Sequence, residues 1–303
     1  MRGFTRIYVA GAGGMLGAAV VEECSAVATV EASDLEPRAP WLERVDVSDM
    51  DAFGDAVEAF RPDLLVNLAA FTDLEFCELN PDAAWSSNAV GAENGGLIAQ
   101  RLDIPYVYIS SAGIFGGEKE WYDDDDEPDP LTVYARSKLH GEVFVQEKID
   151  KHFILRPGWM MGGGPDLDKK FVNKVYQQIR AGATTIHAVT DLLGSPTYTH
   201  DFARGLLRVA GSGLYGTYNL VCGGTASRYD VARAFVENLG LADEITVVPV
   251  TSDFFATTYF ANRPASEQLV NTRLQERGLD AMPHWRDALE DYSEQFRQDL
   301  ERC

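Results

Sequence analysis

The stretch I-Y-V-A-G-A-G-G-M-L-G, residues 7–17, decides the fold. Ile7 to Val9 is an apolar run that reads as a buried strand. The glycines that follow open a helix over Met15–Cys24. Glycine permits a tight strand-to-helix turn and lets the backbone approach a pyrophosphate. The helix N-terminus then supplies N–H donors and a partial positive charge. Gly11, Gly14 and Gly17 are spaced by three residues, with Gly13 as a further small residue. Gly11, Gly14, Met15, Leu16 and Gly17 are therefore candidate contacts to a dinucleotide.

Working outward, a second strand over Val27–Ala32 runs to Asp34, 20 residues beyond Gly14. A carboxylate there accepts hydrogen bonds from both adenosine ribose hydroxyls and repels a 2′-phosphate. That favours NAD(H), with NADP(H) left open because Arg38 is close in sequence. Asp51–Phe60 carries Phe53, Val57 and Phe60 at helical spacing, and Asp63–Leu68 is a third buried strand. A long helix is expected over Ala83–Leu102, a fourth strand over Tyr106–Ser110, a helix over Leu131–Glu147 and a fifth strand over Phe153–Arg156. Strands alternating with helices predict an α/β fold, a Rossmann-type doubly wound parallel sheet. Asp46 and Val47 are candidate adenine contacts. Leu68, Ala69 and Ala70 end the third strand with residues suited to a backbone passing close to a cofactor. Asn67 reads equally as a contact or a strand-end cap.

After Pro157 the pattern changes. Gly162-Gly163-Gly164-Pro165 breaks the chain. Helices are expected over Lys169–Ala181, Tyr229–Leu239 and Trp285–Leu300, with short strands over Thr185–Val189, Thr217–Val221 and Ile245–Val250. The expected division is a cofactor-binding domain over residues 1–157, joined by later strands near 185–221. A smaller interleaved substrate lobe would comprise residues 158–184 and 222–303.

Composition narrows the function. The 303 residues carry a formal net charge of −21, which excludes a nucleic-acid partner needing a basic face. Small phosphorylated ligands are not excluded, since they need only local cations and helix ends. No run of about 20 apolar residues suggests a membrane span, and the N-terminus lacks a signal-peptide core. Cys24, Cys77, Cys222 and Cys303 lie far apart with no C-x-x-C. The expectation is a cytoplasmic enzyme with reduced thiols and no metal site. The acidic run Asp123–Glu127 reads as a solvated loop.

The chemistry is carried by Y-A-R-S-K, in which Tyr134 and Lys138 are four apart and share a helix face. A phenol titrates near 10, too high for acid–base work at neutral pH, and a neighbouring ammonium is expected to lower it. Tyr134 would then exchange a proton with a carbonyl or hydroxyl oxygen as hydride moves at its carbon. Ser111, ending an apolar run beside Ser110, would hold the same oxygen. Lys138 would also bind the nicotinamide ribose.

These residues resemble the extended short-chain dehydrogenase/reductase family, and within it the dTDP-4-dehydrorhamnose reductases. The resemblance spans nearly the whole chain. It rests on the glycine stretch, R-P-D-L-L-V-N-L-A-A-F-T-D (61–73), N-A-V-G-A-E-N (88–94) and P-L-T-V-Y-A-R-S-K-L-H-G-E (130–142). It extends to L-R-P-G-W (155–159), D-L-L-G-S-P-T-Y (191–198) and N-R-P-A-S-E-Q-L-V-N-T-R-L (262–274). It implies an NAD(P)H-dependent reductase of a 4-keto nucleotide-diphospho-sugar, and a homodimer. Ser111, Tyr134 and Lys138 would be the catalytic trio. Asn88 and Pro157 would be cofactor contacts. Ser110, Ala112, Gly113, Trp159 and Arg263 would be substrate contacts, with Arg263 reading equally as a surface arginine, while Lys169 and Lys170 read more readily as a solvated helix start than as a diphosphate contact. The segment S-S-A-G-I-F (110–115) departs from the S-T-D-Y-V-F of these reductases and looks more like the S-S-A-x-V-Y of sugar epimerases and dehydratases. A nucleotide-sugar epimerase retaining its NAD, or a non-catalytic regulatory relative, are the alternatives.

Overall fold

The computed structural model describes residues 3–301, so Cys303 lies outside the described residues. In chain order the first half comprises β1 (Arg6–Ala10), α1 (Met15–Ser25), β2 (Thr29–Asp34), β3 (Leu42–Arg44), α2 (Met50–Phe60), β4 (Leu64–Asn67), α3 (Leu74–Leu79), α4 (Pro81–Trp85), α5 (Gly91–Arg101), β5 (Tyr106–Ile109), α6 (Val133–Lys148) and β6 (His152–Arg156). The second half comprises β7 (Trp159–Met161), α7 (Gly164–Leu167), α8 (Phe171–Arg180), β8 (Thr185–Val189), β9 (Leu193–Gly194), β10 (Pro196–Tyr198), α9 (Thr199–Ser212), β11 (Gly216–Asn219), β12 (Ala226–Ser227), α10 (Arg228–Asn238), β13 (Thr246–Val250), β14 (Ser266–Glu267), α11 (Thr272–Glu276) and α12 (Trp285–Leu300).

Seven parallel strands form the central sheet in the order β11-β6-β5-β4-β1-β2-β3. Helices cover both faces, which is why its strands are apolar on both sides. Ile7 and Val9 pack with Val20, Leu64, Phe202 and Leu206 on one face. Tyr8 and Ala10, one residue out of phase, pack with Phe53, Val57, Tyr106 and Ile154 on the other. The smaller lobe has its own core, where Ile186 and Ala188 of β8 meet Val172, Phe235, Tyr292 and Phe296.

Several boundaries differ from the sequence expectation. The second strand begins at Thr29, because pairing with Arg6 sets its register. The segment 83–102 is not one regular helix. A π-helical turn at Ser86–Val90 separates α4 from α5 and turns Asn88 inward. Of the strands expected near 185–221 to join the sheet, only β11 does so, beside β6. β8 instead pairs in parallel with β13, since Ile186 and Ala188 are buried in the lobe core. Helix α9 was not anticipated, although Phe202, Leu206 and Val209 repeat at helical spacing. It packs on α1 and returns the chain to the sheet.

Among the described residues no helix is long and apolar enough to cross a membrane. Cys24, Cys77 and Cys222 are buried free thiols. Burial pushes Cys24 and Cys222 up to about 12, which leaves them protonated and unreactive at neutral pH.

Arg156 at the end of β6 and Glu142 on α6 form an ion pair whose side chains are 5% and 2% exposed. Removing one partner strands the other charge in the interior, at a cost of about 3–5 kcal/mol. Glu142→Ala should therefore lower the urea midpoint sharply, and Glu142→Leu combined with Arg156→Met should recover much of the loss. Unfolding curves of the single and double variants check both outcomes.

Candidate active site

β1 and β4 are neighbours, yet the chain leaves them toward opposite sides of the sheet. Their carboxyl ends therefore open a crevice where the strand order reverses. Gly11 leaves β1 at φ 75°, and a Cβ there would lie 2.3 Å from the Ala69 nitrogen at the exit of β4. Only glycine satisfies both the angle and the contact. Gly14 is the N-cap of α1 with no side-chain cap, and α1 has no acidic residue in its first turn. A Cβ on Gly14 would meet nothing within 4 Å, so the helix end is open to the cleft. At the end of β2, Asp34 Oδ2 accepts from the Gly13 nitrogen at 2.8 Å and Oδ1 from the Glu36 nitrogen at 3.0 Å. This is a cradle for an anion beside a carboxylate for a ribose, and it fits a dinucleotide.

The crevice continues into a cleft of about 990 Å³ between the sheet and the smaller lobe. Its wall includes Gly11, Gly14, Met15, Leu16, Gly17, Asp34, Leu68, Ala69, Ala70, Tyr134, Lys138 and Pro157. Ser110, Ser111, Gly113, Trp159 and Arg263 also line it. Asp46, Val47, Asn88 and Ala112 are not among its lining residues, and each makes contacts within the fold. Asp46 Oδ1 closes a turn by accepting from the Ser48 nitrogen at 2.9 Å and hydroxyl at 2.7 Å. Val47 is buried against Gly91, and its carbonyl accepts from Asn94 at 2.9 Å. Asn88 accepts from the Phe71 nitrogen at 2.8 Å and donates to the Phe71 carbonyl at 3.0 Å, bracing the cleft-lining loop from behind. Ala112 donates its N–H to the Pro157 carbonyl at 2.9 Å and packs with Phe115 and Tyr122. Asn67 acts as a strand-end cap, accepting from the Ala69 nitrogen at 3.0 Å and donating to the Gly91 carbonyl at 3.0 Å.

Tyr134 and Lys138 sit one turn apart on α6. Thr132 caps this helix by accepting from the Ala135 nitrogen at 3.1 Å, and Glu78 accepts from the Val133 nitrogen at 2.8 Å. The Tyr108 hydroxyl donates to the Lys138 carbonyl at 2.9 Å, locking α6 to β5. The Ser111 hydroxyl accepts from the Gly113 nitrogen at 3.0 Å, and Ser111 and Tyr134 line the same cleft. The expected lowering of the phenol by Lys138 is not what this geometry gives. Burial pushes Tyr134 up to about 12, opposed by the Ser111 hydroxyl. Burial also draws Lys138 down to about 7, opposed by the charge of Glu142. The Lys138 ammonium nitrogen lies 4.2 Å from the Tyr108 ring centroid, within cation–π range. Tyr134 is therefore a neutral phenol at physiological pH, the form that donates a proton.

Two further residues of the site carry no motif in the sequence. Glu267 lines the cleft and accepts from the Trp159 indole nitrogen at 2.6 Å. It lies four residues beyond Arg263 in the R-P-A-S-E-Q-L stretch. Arg228 also lines the cleft, with its guanidinium 3.7 Å from the Trp159 ring centroid. Burial draws that guanidinium down to about 10. No sequence signal marked Arg228, because its place depends on the fold of the lobe. Arg263 is paired with Glu75 at 2.8 Å, tying the 259–263 segment to α3. Lys170 donates to the Thr72 carbonyl and hydroxyl, each at 3.0 Å, and Lys169 also lines the cleft. The acidic run is a clasp. Asp124 accepts from the Asn219 nitrogen at 2.6 Å and the Arg273 nitrogen at 2.8 Å, Asp125 pairs with Arg273, and Asp126 pairs with Lys119.

Residues 5–298 match the family model described as the RmlD substrate binding domain. The chain is 34% identical over 290 residues to a dTDP-4-dehydrorhamnose reductase of Mycolicibacterium smegmatis, covering 94% of this chain and 84% of that protein. It is 31% identical over 291 residues to the spore coat polysaccharide biosynthesis protein SpsK of Bacillus subtilis, covering 95% and 96%. A crystal structure of dTDP-4-dehydrorhamnose reductase from Bacillus anthracis in complex with NADP superposes with a TM-score of 0.87 at 28% identity. It covers 96% of this chain and 99% of that one.

The depressed Lys138 value sets a pH dependence. An exposed lysine titrates near 10.4. Between about 7 and that value the folded chain holds fewer protons than the unfolded chain, so this group's contribution to stability rises with pH. Below about pH 7 the cost of burying the ammonium is borne in full. Wild type should therefore gain stability relative to Lys138→Met as pH rises from about 6 to about 9. Urea unfolding of the two apoproteins across that range checks the slope.

Proposed function

This chain belongs to the RmlD substrate-binding-domain family, and on that footing we propose that it is an NAD(P)H-dependent reductase of a 4-keto nucleotide-diphospho-sugar, of the dTDP-4-dehydrorhamnose reductase kind. The observation that carries this reading is that Ser111, Tyr134 and Lys138 line one cleft with the dinucleotide cradle.

The nicotinamide, when bound, supplies the hydride that adds to the ketone carbon. The protein's own residues handle the oxygen. Ser111 donates to the carbonyl oxygen and fixes it against Tyr134. The Tyr134 phenol, held neutral by burial, gives that oxygen its proton. Lys138 stabilises the phenolate that remains, and binds the ribose hydroxyls. On this reading the lysine acts on the product state of the proton transfer more than on the resting phenol.

In the cradle, Gly11 and the open end of α1 would take the pyrophosphate, and Asp34 the adenosine ribose. Asp34 supports NADH as the better donor, because a carboxylate at the end of the second strand would repel a 2′-phosphate. The nucleotide-diphosphate of the sugar would lie along the lobe side of the cleft. Arg228, Lys169 and Lys170 supply cations there in a chain whose net charge is strongly negative. The lobe, residues 158–184 and 222–303 together with β8, would thus provide the sugar side of the site.

Purified protein should oxidise NADH with a dTDP-4-keto-6-deoxy-sugar as acceptor, followed at the nicotinamide absorbance. Tyr134→Phe should lower kcat by about 10²- to 10⁴-fold while leaving NADH binding intact. An active Tyr134→Phe variant contradicts the assignment of the acid. In the same assay kcat/KM should be higher for NADH than for NADPH, and Asp34→Ser should narrow that preference by about tenfold.

A further inference from the structure

Three groups converge over the α-carbon of Gly113. A Cβ placed there would lie 3.3 Å from the Ser111 hydroxyl oxygen, 3.4 Å from Glu267 Oε1 and 3.8 Å from Cε1 of Tyr134. The missing side chain leaves the Ser111 hydroxyl, the Glu267 carboxylate and the edge of the Tyr134 ring facing a ligand group that enters here. Glu267 is well fixed there. Its backbone belongs to β14, which pairs with β9 at Gly194. Its Oε2 accepts from the Trp159 indole at 2.6 Å. Trp159 itself is clamped, with the Arg228 guanidinium 3.7 Å from its ring centroid and Gly194 so close that a Cβ there would stand 2.3 Å from the indole. Oε1 is left facing Gly113 with no hydrogen-bond partner among the described residues. Burial pushes the Glu267 carboxyl up, and the Trp159 N–H, Arg228 and Arg263 draw it back toward the charged form.

With the ketone oxygen held by Ser111 and Tyr134, the neighbouring carbon of the sugar would come to lie beside Gly113. In a 4-keto-6-deoxy-hexose, the neighbour that bears a hydroxyl is C3. We infer that Glu267 is a specificity-determining residue whose free carboxylate oxygen accepts a hydrogen bond from the hydroxyl adjacent to the ketone, in the space left open by Gly113. The inference rests on the reductase reading above. It selects α-hydroxyketones over ketones lacking that hydroxyl, because a carboxylate facing an unmatched methylene in the closed cleft is left without a partner.

The test compares two acceptors, dTDP-4-dehydrorhamnose and its 3-deoxy counterpart, with wild type, Glu267→Gln and Glu267→Ala. Wild type should prefer the hydroxylated acceptor by at least about tenfold in kcat/KM. Glu267→Gln should lower kcat/KM for that acceptor by about 10- to 100-fold and change the 3-deoxy acceptor by less than about threefold. Glutamine retains an acceptor for the Trp159 indole, and NADH affinity reports that the fold and cradle are intact. Parallel losses on both acceptors would show that Glu267 acts only by orienting Trp159, and would overturn the inference. Equal use of the two acceptors by wild type would overturn it without any variant, should Glu267→Ala fail to fold. A wild-type protein inert toward both acceptors would instead overturn the reductase reading, and this assignment with it.

Discussion

The buried ion pair between Arg156 and Glu142 holds together three parts of the molecule that must stay in register. Glu142 lies on the helix that carries Tyr134 and Lys138. Arg156 ends the strand that leads into Pro157 and Trp159. The same guanidinium donates to the Asp124 carbonyl at 3.1 Å and lies 5.3 Å from the Phe115 ring centroid. Through Asp124 the acidic clasp reaches the first residues of α11 and the end of β11. A charge pair so fully removed from water is costly unless every hydrogen-bonding group is satisfied. Here the guanidinium is shared between a carboxylate and a carbonyl, and the pair defines where α6 sits on the sheet.

That placement has an electrostatic consequence. Lys138 is buried beside the Tyr108 ring and Glu142, and Tyr134, one turn away, is half-buried in the cleft wall. Burial disfavours both the phenolate and the ammonium, so the two groups are drawn toward their neutral forms in the absence of a ligand. A negative charge forming on Tyr134 would reverse this balance for the lysine. The site is thus arranged to favour charge that appears during proton transfer over charge present at rest.

The cleft also divides its labour between two bodies. The sheet contributes the glycine cradle, Asp34 and the Ser111 and Tyr134 hydroxyls, all at carboxyl ends of strands or on α6. The lobe contributes Trp159, Arg228 and Glu267, whose mutual contacts fix one another across short β-pairs. Gly113 lies where these two sets meet.

The sequence by itself determined the alternation of strands and helices, the glycine cradle, Asp34 and the pairing of Tyr134 with Lys138. These are local patterns, and their physics is complete within a few residues or one helix turn. Asp46, Val47, Asn88 and Ala112 looked equally suited to the site by position. Only packing showed Asn88 braced behind Phe71 and Val47 pressed on Gly91. Thr185–Val189 has the pattern of a sheet strand, but which sheet it joins depends on the face presented by α8 and α10. Glu267 and Arg228 are distant in sequence from the motif they complete, and neither belongs to a periodic or glycine-rich signal. Tertiary structure decided them, because the distance between a carboxylate and Gly113 is set by long-range β-pairing and by a clamped indole. Tertiary structure also decided the protonation of Tyr134 and Lys138, since burial is a property of the folded molecule and spacing along a helix does not reveal it.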